Sequence, residues 1–132
     1  YDWRSKISGL VHHSVVGNHD DGNIVDDRWT KEDIYSFLLK PEETSDIVRG
    51  ADLYYYRDDN LQKTRYIYLD SATKTGNIYY DTNQQNFLKQ ALISTPDNWH
   101  IIPISHIWLN VDYNQSPPVA TTPSYGGQWM LD

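Results

Sequence analysis

Apolar residues fall in short runs along this chain, divided by stretches rich in Gly, Asn and Asp. The β-branched run Val11-His12-His13-Ser14-Val15-Val16 stops at Gly17, which predicts a buried strand running into a loop. That loop, 17–27, is rich in Gly, Asn and Asp, with Asp21-Gly22 as a turn signal. Thr30 is a good N-cap, with Asp33 three residues on. Ile34, Phe37 and Leu38 follow at i, i+3 and i+4, so the pattern predicts a short amphipathic helix over Lys31–Leu39 that Pro41 ends. Leu53–Tyr56 and Arg65–Leu69 read as strands of a hairpin turned by Asp58-Asp59-Asn60. Thr73–Asn77 reads as a polar loop. Gln84–Leu92 carries Phe87, Leu88, Ala91 and Leu92 on one helical face. Trp99–Ile104 reads as a strand, and Pro103 must sit at its end or where no ladder bond is needed. From Asn110 onward Pro117-Pro118, Pro123 and Gly126-Gly127 predict a loop-rich segment. Strands alternate with helices but two strands form a hairpin, so the fold class is α/β with a mixed sheet and flanking helices.

The chain has 132 residues, enough for one domain with a real core. Tyr1 opens it, as expected of a processed chain or a piece of a longer one. The absence of cysteine excludes disulfides and thiolate metal sites. A net charge of -7 argues against general nucleic-acid binding, which needs a basic face to displace counterions. A small phosphate ester held by metal ions remains compatible, because the ions supply the positive charge. No run approaches the roughly 18 apolar residues of a membrane span, so no membrane partner is expected. Eleven tyrosines and five tryptophans stand against two phenylalanines. Such amphipathic aromatics suit strands and also wet binding surfaces.

The strongest chemical signal is Gly17-Asn18-His19-Asp20 at the end of the first apolar run. Glycine lets the backbone turn sharply, and three polar side chains follow it. Asn offers a neutral oxygen to a cation, and His offers a nitrogen ligand or a proton. Ser105-His106 stands at the end of another predicted strand. Two strands of one sheet that each end in a candidate ligand can bring both to one site beyond the sheet edge. His12, His13 and His100 read as structural, with alternation sending His12 and His13 to opposite faces. Asp26-Asp27 and Asp58-Asp59 read as solvated loop carboxylates. Asp70 ends a strand near the presumed site edge, and Tyr54-Tyr55-Tyr56 reads as sheet surface.

In this order the pieces resemble calcineurin-like metallophosphoesterases over about residues 11 to 107. Gly17-Asn18-His19-Asp20 resembles the family's third motif, and the strand with Ser105-His106 resembles its fourth. The Arg65–Ser71 stretch is similar to the family's strand ending in Leu-Asp, and the Gln84–Leu92 helix to its Gln-containing helix. The phage and prophage members are also similar. The resemblance implies part of an αββα sandwich and a two-ion hydrolytic site for a phosphomonoester or phosphodiester. The two divalent ions would be Mn, Fe, Zn or Mg. It makes Asn18 and His106 ligands of the second ion. His19 becomes the group at the leaving oxygen, and Gly17 and Asp20 the supports that fix the loop.

The family's Asp-x-His and Gly-Asp-x-x-Asp motifs do not precede Gly17 here, and no histidine follows His106. Either the remaining ligands, the bridging carboxylate among them, come from the rest of a parent chain or from another chain, or the site is dead. The isolated chain is expected to be inactive. The alternative reading is a non-enzymatic binding or structural module that keeps a phosphoesterase-like fold, its natural version a carbohydrate contact at a virion or cell surface. A Ser-His-Asp hydrolase is disfavoured, since no Gly-x-Ser-x-Gly elbow is present.

Overall fold

The computed structural model describes residues 12–17, 20, 29–71 and 80–106, together with two short strands at 111–112 and 119–120. In chain order the elements are α1 (Lys31–Ile34), β1 (Ile47–Arg49), β2 (Tyr55–Asp59), β3 (Thr64–Tyr68), α2 (Thr82–Ile93), β4 (His100–Ile104), β5 (Val111–Asp112) and β6 (Val119–Ala120). The main sheet has the order β1-β2-β3-β4. β1, β2 and β3 run antiparallel, whereas β4 joins β3 in parallel after the α2 crossover. The sheet is mixed and the class α/β, as the pattern of runs predicts.

Alternation along β2 and β3 assigns one core to each face of the sheet. Tyr55 lies opposite Tyr68, and their rings stack at 4.4 Å between centroids. With Val16, Ile34, Leu39 and Leu53 they form the core on one face. Ile67, Leu69, Tyr80, Leu88 and Ala91 form the other, with Tyr56 and Phe87 packed on them.

The first predicted helix starts as its cap requires. Thr30 accepts from the Asp33 N–H while the Asp33 carboxylate accepts from the Thr30 N–H. It does not continue as an α-helix. Tyr35–Leu39 is a π-helical turn and Lys40–Glu42 a 3₁₀ turn, so the backbone passes through Pro41 to Glu42. The wider turn changes the buried face. Leu39 joins Ile34 in the core, while Phe37 is 63% exposed and packs edge-on against Trp29.

The described part of the first apolar run, 12–17, is not a regular strand. Side chains take the place of a ladder there. The Ser14 N–H and hydroxyl both donate to the buried Glu42 carboxylate at 2.7 and 2.8 Å, and the Tyr55 hydroxyl donates to the Ser14 carbonyl at 2.7 Å. The hairpin turn lies at 60–63, with Lys63 at φ 48°, so Asp58 and Asp59 belong to β2 rather than to the turn. β5 and β6 pair antiparallel inside the stretch read as loop. Pro103 lies within β4, opposite Ile67. His100 donates to Lys63 and Ile104 accepts from Leu69, so even-numbered residues of β4 face β3. The nitrogen of Pro103 points to the other edge, where no bond to β3 is lost.

His12 and His13 are both half-buried rather than one in and one out, because the segment does not alternate as a strand. His12 Nε2 lies 3.3 Å from Glu42. The His13 ring packs on Tyr68, and neither of its buried nitrogens has a hydrogen-bond partner. Burial and then the Arg57 charge hold His13 below its ordinary pKa of 6.5, against the opposing pull of Glu42 and Asp46. In the unfolded chain the imidazole protonates near its ordinary value, whereas the folded form resists. Stability should therefore fall as pH drops below 6.5 toward the depressed folded value, and level off beneath it. Urea midpoints at about pH 7.5 and 5.5 test this, and His13→Gln should show the smaller drop. An equal drop in both proteins would assign the pH dependence to other groups.

Candidate functional site

The C-terminal end of β3 is the reference to which both predicted site loops are attached. Beyond Tyr68 come Leu69, Asp70 and Ser71, all buried. The Leu69 N–H donates to the Ile104 carbonyl at 2.9 Å and so holds the last residue of β4. The Ser71 N–H and hydroxyl both point at the Val16 carbonyl, at 3.4 and 3.1 Å. Val16 immediately precedes Gly17, and Ile104 immediately precedes Ser105-His106.

The loop after Val16 is closed by its own acid. The Gly17 N–H donates to Asp20 Oδ2 at 2.7 Å, and the Asp20 N–H donates to the Gly17 carbonyl at 3.2 Å. On the other side, the exposed His106 ring lies against Gly17. A Cβ placed on Gly17 would stand 2.8 Å from His106 Cδ2 and Cγ and 3.0 Å from Nε2. A β-carbon here would occupy the space of the imidazole, so any larger residue would displace the His106 ring. Gly17, Asp20 and His106 are thus brought together, although 86 residues separate Asp20 from His106. Asn18 and His19 lie outside the described residues, as does the Thr73–Asn77 loop.

Asp70 has a structural place beside this site. Its carboxylate accepts from Lys31 Nζ at 2.7 Å, and Lys31 also reaches Asp52 at 2.7 Å. Burial alone would lower the Lys31 pKa, but the Asp70 charge and the bonds to both carboxylates outweigh it and hold the ammonium protonated. Behind Asp70 stands Gln84. The Gln84 side-chain Oε1 accepts from the Asp70 N–H at 2.7 Å and its Nε2 donates to the Asp70 carbonyl at 2.9 Å. Tyr80, fully buried, brings its hydroxyl to 2.6 Å from Ser105 Oγ.

Among the described residues no three His, Cys, Asp or Glu side chains gather closely enough to hold a metal ion. His106 offers one imidazole at the loop, and Asp20 already engages a carboxylate oxygen with Gly17. One imidazole and one carboxylate do not by themselves complete a metal centre, because they offset too little of the desolvation of a divalent ion. Ser71, Tyr80 and Gln84 hold the site together but carry no signal of that role in the sequence. Only the Asp81-Thr82-Asn83-Gln84 spacing is a legible helix start, and the Asp81 side chain does accept from the Gln84 N–H. Comparisons with protein families, with characterised proteins and with solved structures give no match.

Proposed function

We propose that this chain carries one half of a metal-dependent phosphoesterase site, on a sheet that forms part of an αββα sandwich. The observation that supports the reading best is the His106 ring resting on Gly17, which joins the two motif-like segments at one spot. In this reading Asn18 and His106 serve one divalent ion, which would be Mn, Fe, Zn or Mg. A pair of such ions supplies an activated water and charge neutralisation when bound. The chain's own residues orient and protonate. His19 delivers a proton to, or stabilises, the leaving oxygen of a small phosphomonoester or phosphodiester. Asp20 keeps Gly17 in place through the Gly17 N–H. The missing ligands come from another segment or another chain.

Manganese ion at millimolar concentration, added to the isotope-labelled chain, tests the reading. Paramagnetic broadening should appear together at the Asn18 side-chain amide and the His106 ring, and His106→Ala should remove it from Asn18. Broadening confined to His12 and Glu42, or absent from both sites, overturns the assignment. With excess manganese and a chromogenic phosphodiester the chain alone should stay at background. An amide and one imidazole hold an ion weakly and no bridging carboxylate joins a second. Sustained hydrolysis would mean that other residues complete the centre.

A further inference from the structure

We infer that Tyr80 is a positioning residue, whose hydroxyl sets where the His106 ring lies over Gly17. Tyr80 is fully buried among Ile67, Leu69, Leu88 and Ala91, so its ring is fixed by the core beneath the sheet. Its carbonyl accepts from the Gln85 side chain at 2.7 Å, which ties its backbone to α2 as well. The hydroxyl therefore stands as a rigid post. It meets Ser105 Oγ at 2.6 Å, one residue before His106.

The residues on either side of Ser105 show why such a post matters. Ile104 is held by the Leu69 N–H, whereas the His106 side chain is exposed. An exposed ring keeps one place only if the backbone leading to it is held. The β3 ladder ends at Ile104, so the Tyr80–Ser105 bond is the next restraint toward the ring. The facing loop is held in a matching way, by Ser71 on Val16 and Asp20 on Gly17. Ser71 and Tyr80 lie on one connection, between β3 and α2. Among the described residues, that connection thus reaches both halves of the site, through Ser71 to Val16 and through the Tyr80 hydroxyl to Ser105. Any catalytic meaning of this geometry rests on the reading proposed above. The geometry itself does not.

The test uses the whole chain and the variants Tyr80→Phe and Ser105→Ala. Each removes one oxygen and leaves the packing of the ring or loop intact. In the wild type the His106 Hδ2 proton should show a strong nuclear Overhauser contact with a Gly17 Hα, because Cδ2 faces the position of the absent β-carbon. Both variants should lose most of that contact, and the double variant should look like either single one. The Tyr55–Tyr68 contacts in the other core should be unchanged, which separates displacement of the ring from loss of the fold. If Tyr80→Phe does not fold, Ser105→Ala still reads the same bond from its other end. An unchanged His106–Gly17 contact in the folded variants would overturn the inference and leave the hydroxyl as a satisfied buried group. Manganese broadening is scored separately. Its absence from a wild type that shows the contact would refute the metal reading while the positioning role stands.

Discussion

Arg65→Ala should lower folding stability by about 3 kcal/mol, the lower end of the range for breaking a buried ion pair. The Arg65 side chain is 4% exposed and lies at the junction of the hairpin and α2. Nε and Nη2 donate to the two Asp58 oxygens at 2.7 Å each. Nη1 donates to the Ala91 carbonyl at 2.6 Å and to Ser94 Oγ at 2.8 Å. The guanidinium also lies 4.0 Å from the centre of the Tyr56 ring. A helix ends with unsatisfied carbonyls, and here Arg65 reaches one from the sheet face on which α2 packs, beside the Thr95 hydroxyl that donates to the same oxygen. Removal leaves Asp58 without its bidentate partner and takes one donor from the Ala91 carbonyl, which keeps the Thr95 hydroxyl at 2.7 Å. Asp58 is 26% exposed, so water recovers part of the loss, which sets the lower end. Arg65→Lys should still cost roughly 2 kcal/mol, since one ammonium cannot span Asp58 and Ala91 as a planar fork does. Urea unfolding with an unchanged m-value is the measurement. A loss under about 1 kcal/mol for Arg65→Ala would show that water replaces the network.

Gln84→Leu should cost a similar amount, about 3 kcal/mol, by a different route. The side chain keeps nearly the same volume, but the Asp70 N–H and carbonyl both lose their bond to Gln84 in a buried place. Each buried unsatisfied backbone group costs about 1–3 kcal/mol. The damage should be local to the candidate site. Ser71 follows Asp70 and holds Val16, so the variant should raise hydrogen exchange at Asp70 and Ser71 first. Gln84→Glu is the sharper comparison. A carboxylate can still accept from the Asp70 N–H but must repel the Asp70 carbonyl. It should therefore be worse at neutral pH than in mild acid, where a protonated carboxyl can donate. Equal urea midpoints for the wild type and Gln84→Leu would show that the clamp contributes nothing.

Where the information was local, the sequence was readable. Thr30 and Asp33 announce a helix start because both partners of the cap lie within four residues. Aromatic and β-branched runs on either side of a turn announce β2 and β3, since alternation is a property of the strand itself. The Leu88–Ala91 face of α2 is likewise visible in its spacing. The first apolar run misled for the opposite reason. Its composition suits a strand, but its hydrogen-bonding partners are Glu42, Tyr55 and Ser71, which lie 28 to 55 residues away. The π turn at Tyr35–Leu39 was also invisible, because a single added residue per turn leaves no mark on so short a pattern.

By itself the sequence determined the mixed α/β architecture, the helix caps, the hairpin, and two short polar segments that each follow an apolar run. Those are consequences of period, turn chemistry and charge, which act over a few residues. Only the tertiary structure decided that Gly17 lies under His106, that Asp70 pairs with Lys31, and that Gln84 and Tyr80 support the ends of the strands. Each of these contacts joins side chains or backbone groups distant in the chain. Its existence depends on how the two cores pack on opposite faces of one sheet, and no local pattern encodes that distance.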